Sequence, residues 1–244
     1  MAGVAKGLAI LECFGKERPR MTCADAARLT GLTRPTARRC LLTLRELEYV
    51  SFDGKYYRPE PRLLRLTSAY LSSVELTQIA QSVMDKIRDE TGETVSLTIM
   101  EGTEMVYIAR ASVTRVLLTG AAIGVRVPAY CSAGGRAWLA TMPDKKVQAY
   151  LRTVKLVRRT PHTVIDPDKL LAIVQQARKQ GYATQEEELE LGTRSIGVSV
   201  VASGDRVIGA LTLGCPAARM TMDEMVAKLL PKLREGSSLL SNAY

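Results

Sequence analysis

Between Arg28 and Arg45 the chain carries five arginines and no acid. Thr33, Arg34, Pro35, Thr36, Arg38 and Arg39 crowd the first half of that run. Arg34 and Arg38 are four apart, so a helix there would present both on one face. A guanidinium can grip guanine O6 and N7 in bidentate fashion, and a threonine hydroxyl can donate to a phosphate oxygen. The chemistry on offer is recognition of double-stranded nucleic acid. Thr22 adds a hydroxyl upstream. Lys55 and Arg58 add cations downstream, suited to the backbone or the minor groove. The alternatives are a solvated basic face on a unit that makes protein contacts, hence an adaptor, or a small-molecule-binding enzyme.

Residues for catalysis are sparse. The single histidine, His162, lies in a Thr-Pro-His-Thr loop that reads as exposed, and no Gly-x-Ser-x-Gly nucleophile elbow is present. Cys131, Cys215 and His162 lack metal-site spacing. Glu186-Glu187-Glu188 reads as a solvated acidic loop. Gly134-Gly135 before Arg136 resembles an anion-binding helix start, but no Walker or dinucleotide fingerprint accompanies it. The expectation is no enzyme activity, no cofactor and no metal.

The elements that must position the arginines follow from local signals. Val4, Leu8, Leu11 and Phe14 have helical spacing, and Gly15 stops that run. Thr22 caps a short helix, with Asp25 three residues on completing a capping box. Gly31 stands where a tight turn between helices needs φ > 0. Thr33 reads as the next N-cap, and Pro35 falls in the first turn of a helix reaching about Glu48. Asp53-Gly54 between Tyr49–Phe52 and Lys55–Arg58 signals a β-hairpin with a two-residue turn. Three helices followed by a hairpin make a winged helix-turn-helix, whose second motif helix lies in the major groove.

Beyond Pro59 and Pro61, Leu63–Val74 reads as a connecting helix and Leu76–Thr91 as a longer amphipathic one. The period then changes. Thr94–Ile99, Met105–Ala109 and Arg115–Thr119 read as strands. Arg136–Ala140, Asp144–Leu151 and Asp166–Gln180 read as helices. Gly197–Ala202 and Val207–Leu213 are apolar strands about a Ser-Gly-Asp turn, and Met222–Leu240 closes the chain as a helix. The expected class is α+β, a winged helix-turn-helix over 1–61, a linker helix over 62–75 and a sensor module with a central antiparallel sheet over 76–244.

The 244 residues carry a net charge of +9, which favours a polyanionic partner, and 46% are hydrophobic, enough for packed cores. Five scattered cysteines without C-x-x-C spacing read as reduced thiols. No apolar stretch approaches the roughly 18 residues that span a bilayer, and no signal peptide opens the chain. These features suit a soluble, cytoplasmic protein with no membrane partner.

Taken together the chain resembles the IclR family of bacterial transcriptional regulators. The resemblance rests on Lys6-Gly7-Leu8-Ala9-Ile10-Leu11 with the winged unit and on Gly124-x-x-Val127-Pro128-Ala129-Tyr130-Cys131-Ser132-Ala133-Gly134-Gly135-Arg136-Ala137. It also rests on Glu186-Glu187-Glu188-x-x-x-Gly192-x-x-Ser195-Ile196-Gly197-Val198 and on Gly209–Pro216 with Arg219. The Pro-Ala-Tyr-Cys-Ser stretch and Arg110–Arg115 further resemble the branch that regulates catabolism of protocatechuate and 4-hydroxybenzoate. The resemblance implies a GAF/PAS-like effector-binding domain for a small organic acid, with an effector site at Val116, Val127, Tyr130, Ala133, Gly134, Gln185, Ser195, Thr212 and Gly214. Gln185 replaces a frequent acid, Ser195 a cysteine and Tyr130 a common histidine, changes that suit a bulkier or aromatic ligand. A carboxylate wants a cation, and Arg110, Arg115, Arg126, Arg136 and Arg194 are the candidates. The resemblance also implies a homodimer or dimer of dimers on operator DNA, with the effector modulating binding through the linker helix. Whether it represses or activates is left open.

Overall fold

A computed structural model describes residues 3–73, 75–113 and 122–243. The chain divides into two compact units, Met1–Ser73 and Val74–Tyr244.

The first unit holds α1 (Gly3–Leu11), α2 (Cys23–Thr30), α3 (Arg34–Glu46), β1 (Val50–Phe52), β2 (Tyr57–Pro59) and α4 (Leu64–Ser73). The Thr22 hydroxyl accepts from the Asp25 amide at 3.1 Å while the Asp25 carboxylate accepts from the Thr22 amide at 3.1 Å, so the capping box forms as read. Gly31 takes φ +67°, the left-handed turn between α2 and α3. Ile10, Met21, Ala26, Leu41, Leu44, Val50 and Tyr57 close a small core beneath the three helices and the hairpin. The hairpin differs from expectation. Phe52 pairs with Tyr57, leaving a four-residue loop in place of two. The cause is Asp53, whose carboxylate accepts the Lys55 amide at 3.0 Å and the Tyr56 amide at 2.7 Å, winding the loop around itself.

The second unit runs α5 (Glu75–Thr91), β3 (Thr94–Glu101), β4 (Glu104–Ala111), β5 (Arg126–Pro128), α6 (Ala133–Leu139), α7 (Asp144–Thr153), α8 (Pro167–Gln180), β6 (Ala183–Glu186), β7 (Thr193–Ala202), β8 (Arg206–Pro216) and α9 (Met222–Asn242). Its strands form an antiparallel sheet in the order β5-β4-β3-β8-β7-β6. Strand alternation sends Val95, Leu97, Ile196, Val198, Leu211 and Leu213 to one face, where they bury Met84 and Ile87 of α5 and Leu229 and Leu233 of α9. A second core gathers Met105, Val127, Leu139, Val147, Leu151, Leu170 and Val174 from β4, β5 and α6 to α8. The α6 backbone lies directly on the sheet: a Cβ on Gly197 would stand 2.8 Å from the Ala133 carbonyl, and one on Gly134 2.9 Å from Thr98 Oγ1 and from Thr212 Cγ2. Only glycine allows that approach.

The short edge strands β5 and β6 were not anticipated. The strand expected at Arg115–Thr119 lies outside the described residues, as does Val116.

Candidate DNA-reading and ligand-binding sites

Arg34, Arg38 and Arg39 stand exposed on α3 and form no ion pair among the described residues. Ala37, Leu41 and Leu44 fill the opposite, buried face of the helix. An unpaired exposed guanidinium keeps its full field for an incoming phosphate or base edge. Thr33 occupies the N-cap without a capping bond, and its hydroxyl donates to Thr36 Oγ1 at 2.9 Å, which leaves the Thr36 proton for a partner. Pro35 sits in the first turn, where the missing amide costs nothing. The Thr22 hydroxyl is committed elsewhere: it donates to Asp25 at 2.7 Å, so the cap has taken the proton that a phosphate would need. On the wing Lys55 is exposed, while Arg58 donates to Asp53 at 3.3 Å. Arg20 was missed by the sequence reading. Met21 pairs with Tyr57, which carries Arg20 to the wing, where its guanidinium lies 4.4 Å from the centroid of the Tyr56 ring. Only that long-range bridge reveals it.

In the second unit a cavity of about 390 Å³ opens on the sheet face that carries α6. Val127, Ala133, Gly134, Gln185, Ser195, Thr212 and Gly214 all line it, as the resemblance implied. The register explains why. Gln185, Ser195, Gly214 and Thr94 stand opposite one another across β6, β7, β8 and β3, and Ser96 pairs with Thr212 in the neighbouring row. The polar phase of Thr94-Val95-Ser96-Leu97-Thr98 therefore faces the cavity, a signal visible in the alternation but readable only once α6 lies on that face. Thr98 donates to the Ala210 carbonyl and Thr212 to the Ser96 carbonyl, each at 3.3 Å. The hydroxyls of Ser96 and Ser195 carry no hydrogen bond among the described residues. Gln185 is 3% exposed and lines the cavity, and its Oε1 accepts the Glu188 amide at 3.3 Å, while its amide nitrogen makes no hydrogen bond among the described residues. Met105, Tyr107, Val125 and Leu189 supply the surfaces against which a flat ring can pack. Burial pushes the Tyr107 phenol upward, so it stays a neutral donor.

Tyr130 is a correction. It lies outside the cavity lining and is 1% exposed. Its hydroxyl donates to the Val157 carbonyl at 2.7 Å and accepts the Val157 amide at 3.0 Å, so it pins the chain after α7 and has nothing left for a ligand.

Glu188 is a second correction, since the acidic run is not simply solvated. Arg136 grips both Glu188 oxygens at 2.6 and 2.7 Å, and also donates to the carbonyls of Tyr130 at 2.9 Å and Thr184 at 3.0 Å. Both charges are buried. Glu186 meets Arg194 at 2.7 Å and Glu187 accepts the Gly192 amide at 2.8 Å, so the other two acids of the run are used locally.

His162 is exposed, as expected. Cys131 and Cys215 belong to different cores, and burial raises both thiols to about 11. The structure does not bring the three together. Among the described residues no group of three or more His, Cys, Asp or Glu could hold a metal ion, and no helix is long and apolar enough to cross a membrane.

Residues 3–54 match the IclR helix-turn-helix domain, and residues 68–242 match the C-terminal domain of the bacterial transcriptional regulator IclR. The chain belongs to the IclR family. It is 38% identical over 238 residues to the Pca regulon regulatory protein of Pseudomonas putida, covering 97% of this chain and 82% of that one. The crystal structure of a putative transcriptional regulator from Rhodococcus sp. RHA1 superposes with a TM-score of 0.85 at 37% identity, over 98% and 96% of the two chains. The inducer-binding domain of the Acinetobacter transcription factor PobR, a double mutant in complex with 3-hydroxybenzoic acid, matches with a TM-score of 0.66. It is 27% identical, covering 70% of this chain and all of that one. Within the IclR family the chain stands with regulators of aromatic-acid catabolism. It is a DNA-binding transcriptional regulator and not an enzyme.

Proposed function

We propose that this IclR-family regulator senses a hydroxylated aromatic acid in the cavity on the sheet and adjusts operator binding in response. The observation that carries the reading is the cavity wall: neutral donors at buried Ser96 and Gln185 and half-buried Ser195 beside Met105, Tyr107 and Leu189, in a volume suited to a ring-sized ligand. The hydroxybenzoate complex of the PobR domain supports it. In this scheme residues 1–61 bind DNA, 62–75 link and 76–244 sense. Arg34 and Arg38 reach base edges, Arg39, Thr33, Thr36 and Lys55 hold backbone, and ligand occupancy shifts the population of operator-competent protein. Acting on operator DNA places it in the cytoplasm.

One helix-turn-helix buries a small DNA contact, so two copies are needed to face two half-sites. Val4 and Leu8 of α1 and Leu64, Leu66 and Tyr70 of α4 expose apolar side chains, Val4 to 76% and Leu64 to 67%. A second copy of this chain covers them, giving a homodimer that can pair again. Light scattering checks the assembly.

A melting-temperature screen tests the ligand. We expect 4-hydroxybenzoate or 3,4-dihydroxybenzoate to raise the melting point at micromolar concentration and to change operator affinity in a gel shift. Stabilisation by two- or three-carbon acids alone would replace the aromatic reading.

A further inference from the structure

The arginines that could meet a ligand carboxylate are sorted by the structure. Arg126 is held by Glu101 at 2.5 Å and Glu104 at 2.8 Å, Arg136 by Glu188 and Arg194 by Glu186. These three are neutralised by the chain's own acids. Arg115 lies outside the described residues. Arg110 lines the cavity beside Tyr107, in a place where burial disfavours its charged form.

Arg159 was not among the candidates, yet it lines the same cavity. It is exposed and pairs with no carboxylate among the described residues. Its guanidinium meets the protein through one long bond, from Nε to the Leu189 carbonyl at 3.4 Å. The backbone beneath it is firmly held. Thr163 Oγ1 accepts the amides of Arg159 at 3.1 Å and Thr160 at 2.9 Å and donates to the Glu188 carbonyl at 2.6 Å. Thr160 Oγ1 donates to the Glu187 carbonyl at 2.7 Å. The buried Arg136–Glu188 pair fixes the strand end to which both threonines attach. Arg159 thus has a rigid root and a loosely held charged head. That head belongs to the cavity rim, since Arg159 and Leu189, the residue it meets, both line the cavity.

We propose that Arg159 is the carboxylate anchor of the cavity, so that an aromatic monoacid lies with its carboxylate at the rim and its ring toward Ser96 and Ser195. This rests on the effector reading above. The polarity follows from solvation. Ser96, Ser195 and Gln185 offer neutral hydroxyls and an amide, which satisfy a phenol but leave a carboxylate charge poorly compensated. At the rim a carboxylate keeps part of its hydration and gains a charge-assisted bond.

The test is the affinity ratio of 4-hydroxybenzoate to its neutral analogue 4-hydroxybenzamide, measured by calorimetry on the full chain. The wild type should prefer the acid by about tenfold or more. R159Q should bring the ratio close to one, R159K should restore part of it, and R158Q, at an exposed neighbour that does not line the cavity, should leave it in place. Unliganded melting points check that each variant folds. A ratio that survives in R159Q, or collapses in R158Q instead, overturns the anchor while the effector reading stands. Wild-type protein that binds neither compound at millimolar concentration removes the effector reading, and the anchor with it.

Discussion

Arg34, Arg38 and Arg39 of α3 stand in solvent with no ion pair among the described residues, whereas Arg136 of the second unit is sealed away with Glu188 and two carbonyls. The same side chain serves opposite ends. On α3 the charge is left unsatisfied by the protein, so its field is available to a phosphate or a guanine edge. In the second unit the charge is consumed internally and joins α6 to the β6–β7 connection. A cation kept for recognition has to stay cheap to hydrate. One used for architecture has to be fully bonded, because desolvation makes any unpaired remainder costly.

That contrast predicts the largest effect. Arg136→Met leaves Glu188 buried without its partner and should destabilise the second unit by roughly 3–5 kcal/mol in urea denaturation. The double variant R136M/E188L removes both charges and should recover most of the loss. Arg38→Ala, by comparison, should leave stability within about 0.5 kcal/mol. Equal losses from the two arginine substitutions would break the comparison.

On the DNA side the same substitutions should reverse in rank. Arg34→Ala and Arg38→Ala should each weaken operator binding by about 1–3 kcal/mol if the side chain reads a base. If it holds phosphate instead, binding should weaken on all sequences alike and the salt slope should fall by about one. Fluorescence anisotropy across a potassium chloride series separates the two. Unchanged binding in both variants would remove α3 from the interface.

What was legible divides along the same line. The determinants of the first unit lie within a few residues of one another: Thr22 with Asp25, Gly31 in its turn, Pro35 in the first turn of α3. Local spacing therefore reveals them. The hairpin loop was misread there because the Asp53 carboxylate competes for amides that a two-residue turn would leave free. In the second unit the determinants are remote. Glu188 meets Arg136 across 52 residues, and nothing in an acidic triplet says which carboxylate will be buried. Strands β5 and β6 hold three and four residues, too few to display alternation. Seven cavity residues were reached through family resemblance, while Thr94, Ser96 and Arg159 needed the sheet register and the loop packing.

A smaller contrast concerns two helix caps in the first unit. Thr22 forms a complete capping box, so Thr22→Ala should cost about 1 kcal/mol. Thr33 makes no capping bond, and Thr33→Ala should cost less than half of that. Thermal melts of the two variants, side by side, measure the difference. Equal shifts would mean that the Thr33–Thr36 contact stabilises α3 as well as a cap does.

The subtlest prediction is that the two units respond to pH with opposite sign. In the first unit, hydrogen bonds from Thr22, then the charge of Arg28, hold the Asp25 carboxyl below its ordinary value, and the amides of Tyr56 and Lys55 do the same for Asp53. A lowered acid contributes stability that is present above the unfolded-state value and is lost as pH falls through the folded one. Glu93 in the second unit is the reverse. It is 1% exposed, and burial outweighs the attraction of Arg219 at 3.2 Å, so its carboxyl is pushed up. Folding then takes up a proton between the unfolded and folded values, and the stability from this group is fully present below the unfolded value and lost as pH rises through the folded one. Glu93→Gln removes the titration. Its stability relative to wild type should therefore improve from pH 4 to pH 7, whereas Asp25→Asn should hold level over that interval and lose ground as pH rises from about 2 to 4, the range in which the lowered Asp25 carboxyl ionises. Melting temperatures of the three proteins at each pH decide the matter. If the two differences change in the same direction, the carboxyl of Glu93 is governed by Arg219 and not by its burial.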